Sequence, residues 1–259
     1  MADPPWVMDN PDERSDRVKV IAVVPTFNEV GNLAAMAEAL FVLPIPGLSL
    51  LVVDDESPDG TGRLADELAA ASAGRMAVLH RHGPRGLGLA YLDGFRLALE
   101  SRADAIVQMD ADFSHSPADV PRLVEKLAEC DVAVGSRYIS GGRIDDQWGF
   151  SRFALSRSAN AYARTILGLK THDTTAGFKC WRRSALEAIG LGRIRSNGYI
   201  FMVEMAYVSE KLGLRVAEVP IYFADRRVGL SKMSLRAKLE GAVGVLGVWR
   251  RHHRLHPLG

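Results

Sequence analysis

From residue 18 onward, short aliphatic and β-branched runs alternate with amphipathic stretches, and this alternation restricts the chain to a small set of folds. The runs are Val18 to Val24, Leu48 to Val53, Met76 to His80, Ala105 to Met109 and Val132 to Gly135. Between them lie helical patterns at Asn32 to Leu43, Thr61 to Ser72, Leu87 to Glu100 and Ser116 to Glu129. The last of these sets Val120, Leu123, Val124 and Leu127 on one face. Strands that are apolar at every position, rather than at every second one, need cover on both faces. The expectation is an α/β fold with a mostly parallel central sheet and helices on both sides. In such a sheet, ligands sit beyond the carboxyl ends of the strands.

The polar residues gather at those ends. The first run leads into Pro25-Thr26-Phe27-Asn28-Glu29, the second into Asp54-Asp55-Glu56-Ser57-Pro58-Asp59-Gly60-Thr61, and the fourth into Asp110-Ala111-Asp112-Phe113-Ser114-His115. Carboxylates crowded on one rim repel one another unless a cation or a hydrogen-bonding ligand neutralises them. An Asp-x-Asp at a strand end can hold Mg²⁺ or Mn²⁺, whose other positions then go to water and phosphate oxygens. The alternative for Asp112 or Ser114 is capping of the next helix. Asp54 and Asp55 suit a base or ribose, while 57 to 61 read as a turn, with Asp59 opening the helix after it. Phe27 is either a stacking surface for a base or an ordinary core aromatic.

Other classes of function fall away. Gly83-Pro84-Arg85-Gly86-Leu87-Gly88 hints at a dinucleotide loop, but it follows the third strand and Tyr91 stands where a further glycine belongs. The sequence contains neither a Walker A motif nor a nucleophile elbow. His80, His82, His115 and His172 have no metal-ligand spacing and read as loop or surface residues, His115 alone lying near the acidic rim. Two cysteines, Cys130 and Cys180, make no disulfide framework. A net charge of +1 argues against nucleic acid as a partner. The charge is nevertheless uneven, since residues 226–259 hold eight Lys or Arg against one acid, Glu240.

Residues 1–17, acidic and carrying three prolines, are expected to form a disordered leader. Nothing there reads as a secretory signal. The longest strongly apolar stretch without charge or proline, 241–249, falls well short of the roughly 20 residues that span a bilayer. In the tail, Leu235, Leu239, Ala242, Val243, Leu246 and Trp249 follow one helical face, flanked by Arg236, Lys238, Arg250 and Arg251. This is the pattern of a helix lying on an anionic membrane, or of one packed on its own domain or on a dimer partner. Gly241, Gly244 and Gly247 would permit close helix contact.

Seven segments occur in order: PTFNE (25–29), VVDDESPDGT (52–61), MDADFSH (109–115), GSRY (135–138), DTTAGFKCW (173–181), GYIFMVEM (198–205) and DRRVGLSKMS (225–234). Together they resemble the polyprenyl-phosphate (dolichol-phosphate) mannosyltransferases, inverting glycosyltransferases of the GT-A fold. The resemblance covers about residues 18 to 240, and it divides the chain into the leader, a catalytic domain at 18–233 and a basic helical tail at 234–259.

The resemblance implies a role for each matching position. Pro25, Phe27, Glu29, Val53 and Asp55 would line the nucleotide pocket, with Asp54 beside them. Asp110, Ala111 and Asp112 would meet the sugar nucleotide, with Asp112 on a Mg²⁺ or Mn²⁺ ion. Ser114 stands where some relatives use Gln as a further metal ligand. Arg137, Arg152 and Ser156 would hold the acceptor phosphate, and Arg226 and Lys232 would close over the donor diphosphate. On residue chemistry alone, Arg137 could instead pair with Asp131 or Asp112, and Arg226 or Arg227 with Asp225. The implied reaction moves mannose from GDP-mannose to a polyprenyl monophosphate. The expected setting is the cytoplasmic face of a membrane, with the protein held peripherally and a homodimer or a membrane subunit as a further partner. A glucosyltransferase using UDP-glucose and a sugar-nucleotide-binding module without turnover are the alternatives.

Overall fold

The computed structural model describes residues 18–225 and 235–258, with the side chains of 235–242 left out. The expected leader, Arg226, Arg227 and Lys232 lie outside the described residues. The strands are β1 (Val20–Thr26), β2 (Leu48–Asp54), β3 (Met76–His80), β4 (Ala105–Gln108), β5 (Val132–Ser136), β6 (Arg143–Ile144), β7 (Lys179–Arg182), β8 (Val216–Pro220) and β9 (Tyr222–Phe223). The helices are α1 (Val30–Phe41), α2 (Thr61–Ala71), α3 (Leu87–Glu100), α4 (Val120–Lys126), α5 (Phe150–Leu167), α6 (Arg183–Ile189), α7 (Gly198–Lys211) and α8 (Leu235–His252).

The main sheet has the order β3-β2-β1-β4-β7-β5-β8, and β6 with β9 forms a small separate ribbon. Strands β1, β2, β3 and β4 run parallel, while β7 is inserted antiparallel between β4 and β5. The expected mostly parallel sheet is therefore present, with one reversed strand. Strand order turns at β1, which has β2 on one side and β4 on the other, so the crevice for a ligand opens beyond their carboxyl ends.

The apolar strands are explained by two cores, one on each face. Val20, Ala22 and Val24 pack with Leu33, Met36 and Leu40 of α1 and with Val120 and Leu123 of α4. Ile21 and Val23 face the other way, onto Tyr91 and Phe95 of α3 and Phe201 and Met205 of α7. Gly94 of α3 makes this second layer possible, because a Cβ there would lie 2.5 Å from Val23 and 2.9 Å from Val53. Several boundaries shift by one or more residues from the sequence reading, two of them informatively. The first strand continues through Pro25, which sits opposite Val53 at the end of the ladder. The fourth helical stretch begins as a 3₁₀ turn at Pro117–Asp119 and becomes α-helical at Val120.

The C-terminal helix packs on its own domain. Val245 and Val248 of α8 join Ala163 and Leu167 of α5 and Val203 and Tyr207 of α7 in a third cluster. Gly244 lies so close to Ile200 that a Cβ would come within 2.7 Å of it, the close approach its sequence allows. Glu204, fully buried in α7, then fixes the end of the helix. Its Oε1 meets His252 Nε2 at 2.7 Å and accepts from Arg251 Nε at 3.0 Å, while Oε2 accepts the Arg195 and Ser196 amides. Burial would raise its pKa, but hydrogen bonds from His252 and Ser196 and the charge of Arg251 bring it down to about 2.

The described part of the apolar stripe read from the sequence, Val243, Leu246 and Trp249, faces away from this cluster. Val243, Leu246 and Trp249 are 73%, 48% and 44% exposed. Among the described residues, no helix is long and apolar enough to cross a membrane.

Candidate active site

The carboxyl ends of β1, β2 and β4 form one rim. Thr26 is in register with Asp54, and Val23 with Gln108, two residues before Asp110. Each strand leads into a turn with one non-glycine residue in the left-handed region: Asn28 (φ 60°), Glu56 (φ 55°) and Phe113 (φ 63°). A side chain there costs on the order of 1 kcal/mol, so the surroundings must hold the turn in place. Asp59 and Thr61, just past the second turn, hold the first. The Thr61 hydroxyl accepts the Glu29 amide at 2.9 Å, and Asp59 Oδ2 accepts that of Val30 at 3.2 Å.

Asp54 is tied into this scaffold. Oδ1 accepts the hydroxyls of Thr26 and Ser57, and Oδ2 accepts the Ser57 amide. An aspartate closing an Asx turn and one touching a ribose look alike in sequence, and here the turn claims the carboxylate. Asp55 is buried and pairs with Arg81, and its Oδ2 accepts the Gly86 amide at 2.8 Å. The glycine loop at 83–88 is thus hung from Asp55 on one side. On the other, Asn197 Oδ1 accepts the Gly88 amide at 2.9 Å. A Cβ on Gly86 would lie 1.9 Å from the Asn197 amide nitrogen, so the loop's glycines serve this packing.

Arg85 of the same loop lies 4.6 Å over the ring of Phe27. Phe27 and Pro25 are half-buried at the rim, so Phe27 is no ordinary core aromatic. Glu29 Oε2 accepts from Asn32 at 2.7 Å and starts α1. The side chains of Val53 and Ala111 are buried in the two cores.

Asp110 and Asp112 stand past the end of β4. Tyr91, the residue that breaks the dinucleotide pattern, donates its buried hydroxyl to Asp110 Oδ1 at 2.9 Å. Burial and the nearby charges of Asp110 and Asp112 push the Tyr91 pKa well above its usual value. Asp112 Oδ1 accepts the Ser114 amide at 3.0 Å. Neither Asp112 nor Ser114 caps the next helix, since Ser116 occupies that position.

His115 is buried rather than a surface residue. Its ring stacks on Phe178 at 5.1 Å, and its Nδ1 accepts the Asp110 amide at 3.2 Å. Burial lowers its pKa against the pull of Asp110 and Asp112, so it is a neutral ring that shapes the loop.

Two hard carboxylates on one loop are the donor set that Mg²⁺ or Mn²⁺ takes when phosphate and water complete its shell. Among the described residues, no group of three His, Cys, Asp or Glu forms a closed cage. A Mg²⁺ or Mn²⁺ ion that shares its shell with a phosphate ligand suits the pair Asp110 and Asp112.

The three residues expected at the acceptor converge on an aromatic patch next to this loop. Arg137 pairs with neither Asp131 nor Asp112. Its Nε and Nη2 donate to the two oxygens of Asp173, both at 2.7 Å, and Nη2 also reaches Thr175 Oγ1 at 2.9 Å. Its guanidinium lies 5.0 Å over Phe223, and the same ring meets His115 edge-on at 5.5 Å. Arg152 stacks 3.8 Å over Trp148 and pairs with Asp225 at 3.0 Å, while Trp148 abuts Phe223. Ser156 Oγ is 2.6 Å from the Tyr138 hydroxyl, and the Tyr138 ring lies under Arg137.

Phe223 and Asp173 were not singled out from the sequence. The TTAGF segment after Asp173 marks a tight connection, but nothing local announces a partner 36 residues away.

The family model "Glycosyl transferase family 2" matches residues 21–190. Over 217 residues the chain is 44% identical to a polyprenol monophosphomannose synthase of Mycolicibacterium smegmatis, covering 83% of this chain and 81% of that protein. It is also 44% identical, over 217 residues, to an undecaprenyl-phosphate mannosyltransferase of Micrococcus luteus, covering 84% and 88%. Among solved structures, a glucosyl-3-phosphoglycerate synthase from Mycobacterium tuberculosis is similar, in complex with Mn²⁺, uridine diphosphate and glucosyl-3-phosphoglycerate. It has a TM-score of 0.63 and 19% identity, over 100% of this chain and 88% of that one. The same enzyme with uridine diphosphate gives a TM-score of 0.62 at 20% identity, over 89% and 79%. These likenesses show the fold, the α/β architecture of the GT-A glycosyltransferases. The chain belongs to glycosyl transferase family 2 and, within it, to the polyprenyl-phosphate mannosyltransferases.

Proposed function

We propose that this protein transfers mannose from GDP-mannose to a polyprenyl monophosphate, with inversion, at a membrane surface. One observation carries the reading. The carboxylate loop at 110–115 and the cationic patch at Arg137 share a wall, the ring of Phe223. A seat for an activated sugar and a seat for a second anion are thereby brought side by side. The names of the two 44% identical relatives favour mannose and a polyprenyl phosphate for these seats.

The chemistry needs little from any one side chain. The acceptor is a phosphate monoester with a second pKa near 6, so near neutral pH its oxygen already carries the charge to attack. That oxygen forms the new bond to the sugar's anomeric carbon, while the electron pair of the bond that breaks leaves with the GDP diphosphate. No proton has to be removed, which suits a neutral, buried His115 that holds the loop. Tyr91 orients Asp110 through its hydroxyl. A divalent ion held by Asp110 and Asp112, with Ser114 beside them, would supply positive charge to the diphosphate. Arg137 is oriented by Asp173 to present its remaining N–H edge to the acceptor, with Arg152 and Ser156 beyond it. Arg226 and Lys232, outside the described residues, are proposed as donor-side cations. Phe27 and Arg85 form the wall against which the base would stack.

The uncovered stripe of α8 supports a membrane setting. Val243, Leu246 and Trp249 are exposed on α8, as are Leu155, Tyr162 and Ile166 on α5, the helix α8 packs against, and Arg250 and Arg254 after the stripe. An apolar face rimmed by arginine suits a bilayer containing anionic lipid, in which a polyprenyl chain would be dissolved.

The test is a transfer assay on purified protein, offering GDP-mannose or UDP-glucose with and without a short polyprenyl phosphate. Product formation with GDP-mannose that depends on the lipid phosphate supports the reading. Preference for UDP-glucose, or turnover that ignores the lipid phosphate, contradicts it.

A further inference from the structure

The motif at 173–181 contains a residue that the proposed mechanism leaves unused. Lys179 opens β7 in the middle of the sheet, in register with Gln108 on one side and Val134 on the other, and its side chain is buried, with 1% exposed. Among the described residues, the other buried arginine and lysine side chains are Arg81 and Arg137, and both have a carboxylate within ion-pair distance. Lys179 has none. Its Nζ donates to the carbonyl of Met202 at 3.5 Å, and the Trp181 ring lies 5.8 Å away.

The groups facing this amine are few. From β4, the Gln108 amide is turned to Met202 Sδ and Trp181 Nε1. From α7 comes the Met202 carbonyl. The charged groups acting on it are Asp173, just before β7, and Arg137, just after β5. Burial brings the Lys179 pKa down to about 7, with Asp173 pulling it up and Arg137 pushing it down.

Arg137 and Asp173 together are electrically neutral. A guanidinium so paired gives a phosphate good hydrogen-bond geometry but little net attraction, and the acceptor carries close to two negative charges. We propose that Lys179, on β7 beside the strand that leads to Arg137, supplies the missing charge as a positioning residue for the Arg137–Asp173 pair, gaining a proton as the acceptor phosphate docks on Arg137. The inference rests on the reading of Arg137 as acceptor site. The amine needs no contact with the ligand, because a buried charge acts across several ångströms of low-dielectric interior.

The test is calorimetric titration of the full chain with a short polyprenyl phosphate at about pH 8, in buffers of different ionisation enthalpy. At that pH the phosphate is already a dianion, so any proton taken up belongs to the protein. The wild type is expected to take up most of one proton per acceptor bound. Lys179→Met should abolish the uptake and raise the acceptor KM on the order of tenfold, with the donor KM within about twofold. Lys179→Arg, which stays charged, should restore the acceptor KM without proton uptake. Absence of uptake in the wild type, or an acceptor KM that Lys179→Met leaves unchanged, overturns the proposal. Acceptor binding that survives Arg137→Met with uptake intact removes the acceptor from Arg137, and so rejects the site reading on which the proposal stands.

Discussion

Asp173 grips Arg137 along one edge of the guanidinium, through two 2.7 Å hydrogen bonds and a third from the Arg137 backbone amide at 3.1 Å. Both side chains are buried, and Asp173 raises the arginine's pKa against the effect of burial. Removing the carboxylate would leave a buried cation without its partner. Asp173→Asn should therefore destabilise the protein by about 3 kcal/mol, read from denaturant unfolding, and raise the acceptor KM more than the donor KM. An unchanged acceptor KM in the folded variant would separate Arg137 from the acceptor.

Asp112 lies in the carboxylate loop without capping the helix that follows. Asp112→Ala should lower transfer on the order of 10²- to 10³-fold while leaving the melting temperature close to that of wild type. A variant that melts early would mark Asp112 as scaffold.

Lys179 gives a pH dependence with a defined sign. Its folded pKa of about 7 lies below that of an unfolded lysine near 10.4, so between those values the unfolded chain binds the extra proton and stability rises with pH. The penalty is full below about pH 7 and fades above it. Lys179→Met should therefore melt higher than wild type near pH 6, with the gap closing toward pH 10.

Glu204 behaves in the opposite sense. Its pKa of about 2 lies below the unfolded value, so its contribution is present above roughly pH 4.5 and disappears as the pH falls through about 2. Glu204→Gln keeps the shape of the side chain but weakens its bonds to His252, Arg251 and the 195–196 amides. It should loosen α8, seen as faster amide exchange in 243–252, and flatten the acid limb of the stability curve.

The outer stripe of α8 can be tested separately from catalysis. Leu246→Ser combined with Trp249→Ser should reduce co-sedimentation with vesicles containing anionic lipid several-fold. Transfer to a short, detergent-dispersed acceptor should change little. Equal vesicle binding by the variant would assign this face to another role.

What the sequence shows and hides follows from the same physics. β1 and β2 are legible because burial on both faces forces an apolar residue at every position, and the turn residues after them sit where the rim forms. The stripe of α8 is legible too, yet its described part, Val243, Leu246 and Trp249, proves to be exposed, because Val245 and Val248 make a second apolar face that packs inward. Asp54 is ambiguous in the sequence because a turn and a ribose ask for the same carboxylate. β7 is hidden for a different reason. Four residues long, antiparallel and beginning with a lysine, it gives no periodic signal, and the pairing of Arg137 with Asp173 depends on its placement between β4 and β5.

The central claim is that the carboxylate loop seats a nucleoside diphosphate through a divalent ion. Electron paramagnetic resonance of free Mn²⁺ during titration with this protein and GDP measures it directly. The expected result is weak Mn²⁺ binding by the protein alone, at least tenfold tighter binding once GDP is added, and loss of that gain in both Asp110→Asn and Asp112→Asn. Mn²⁺ and GDP that bind independently, or a gain that survives both substitutions, would contradict it.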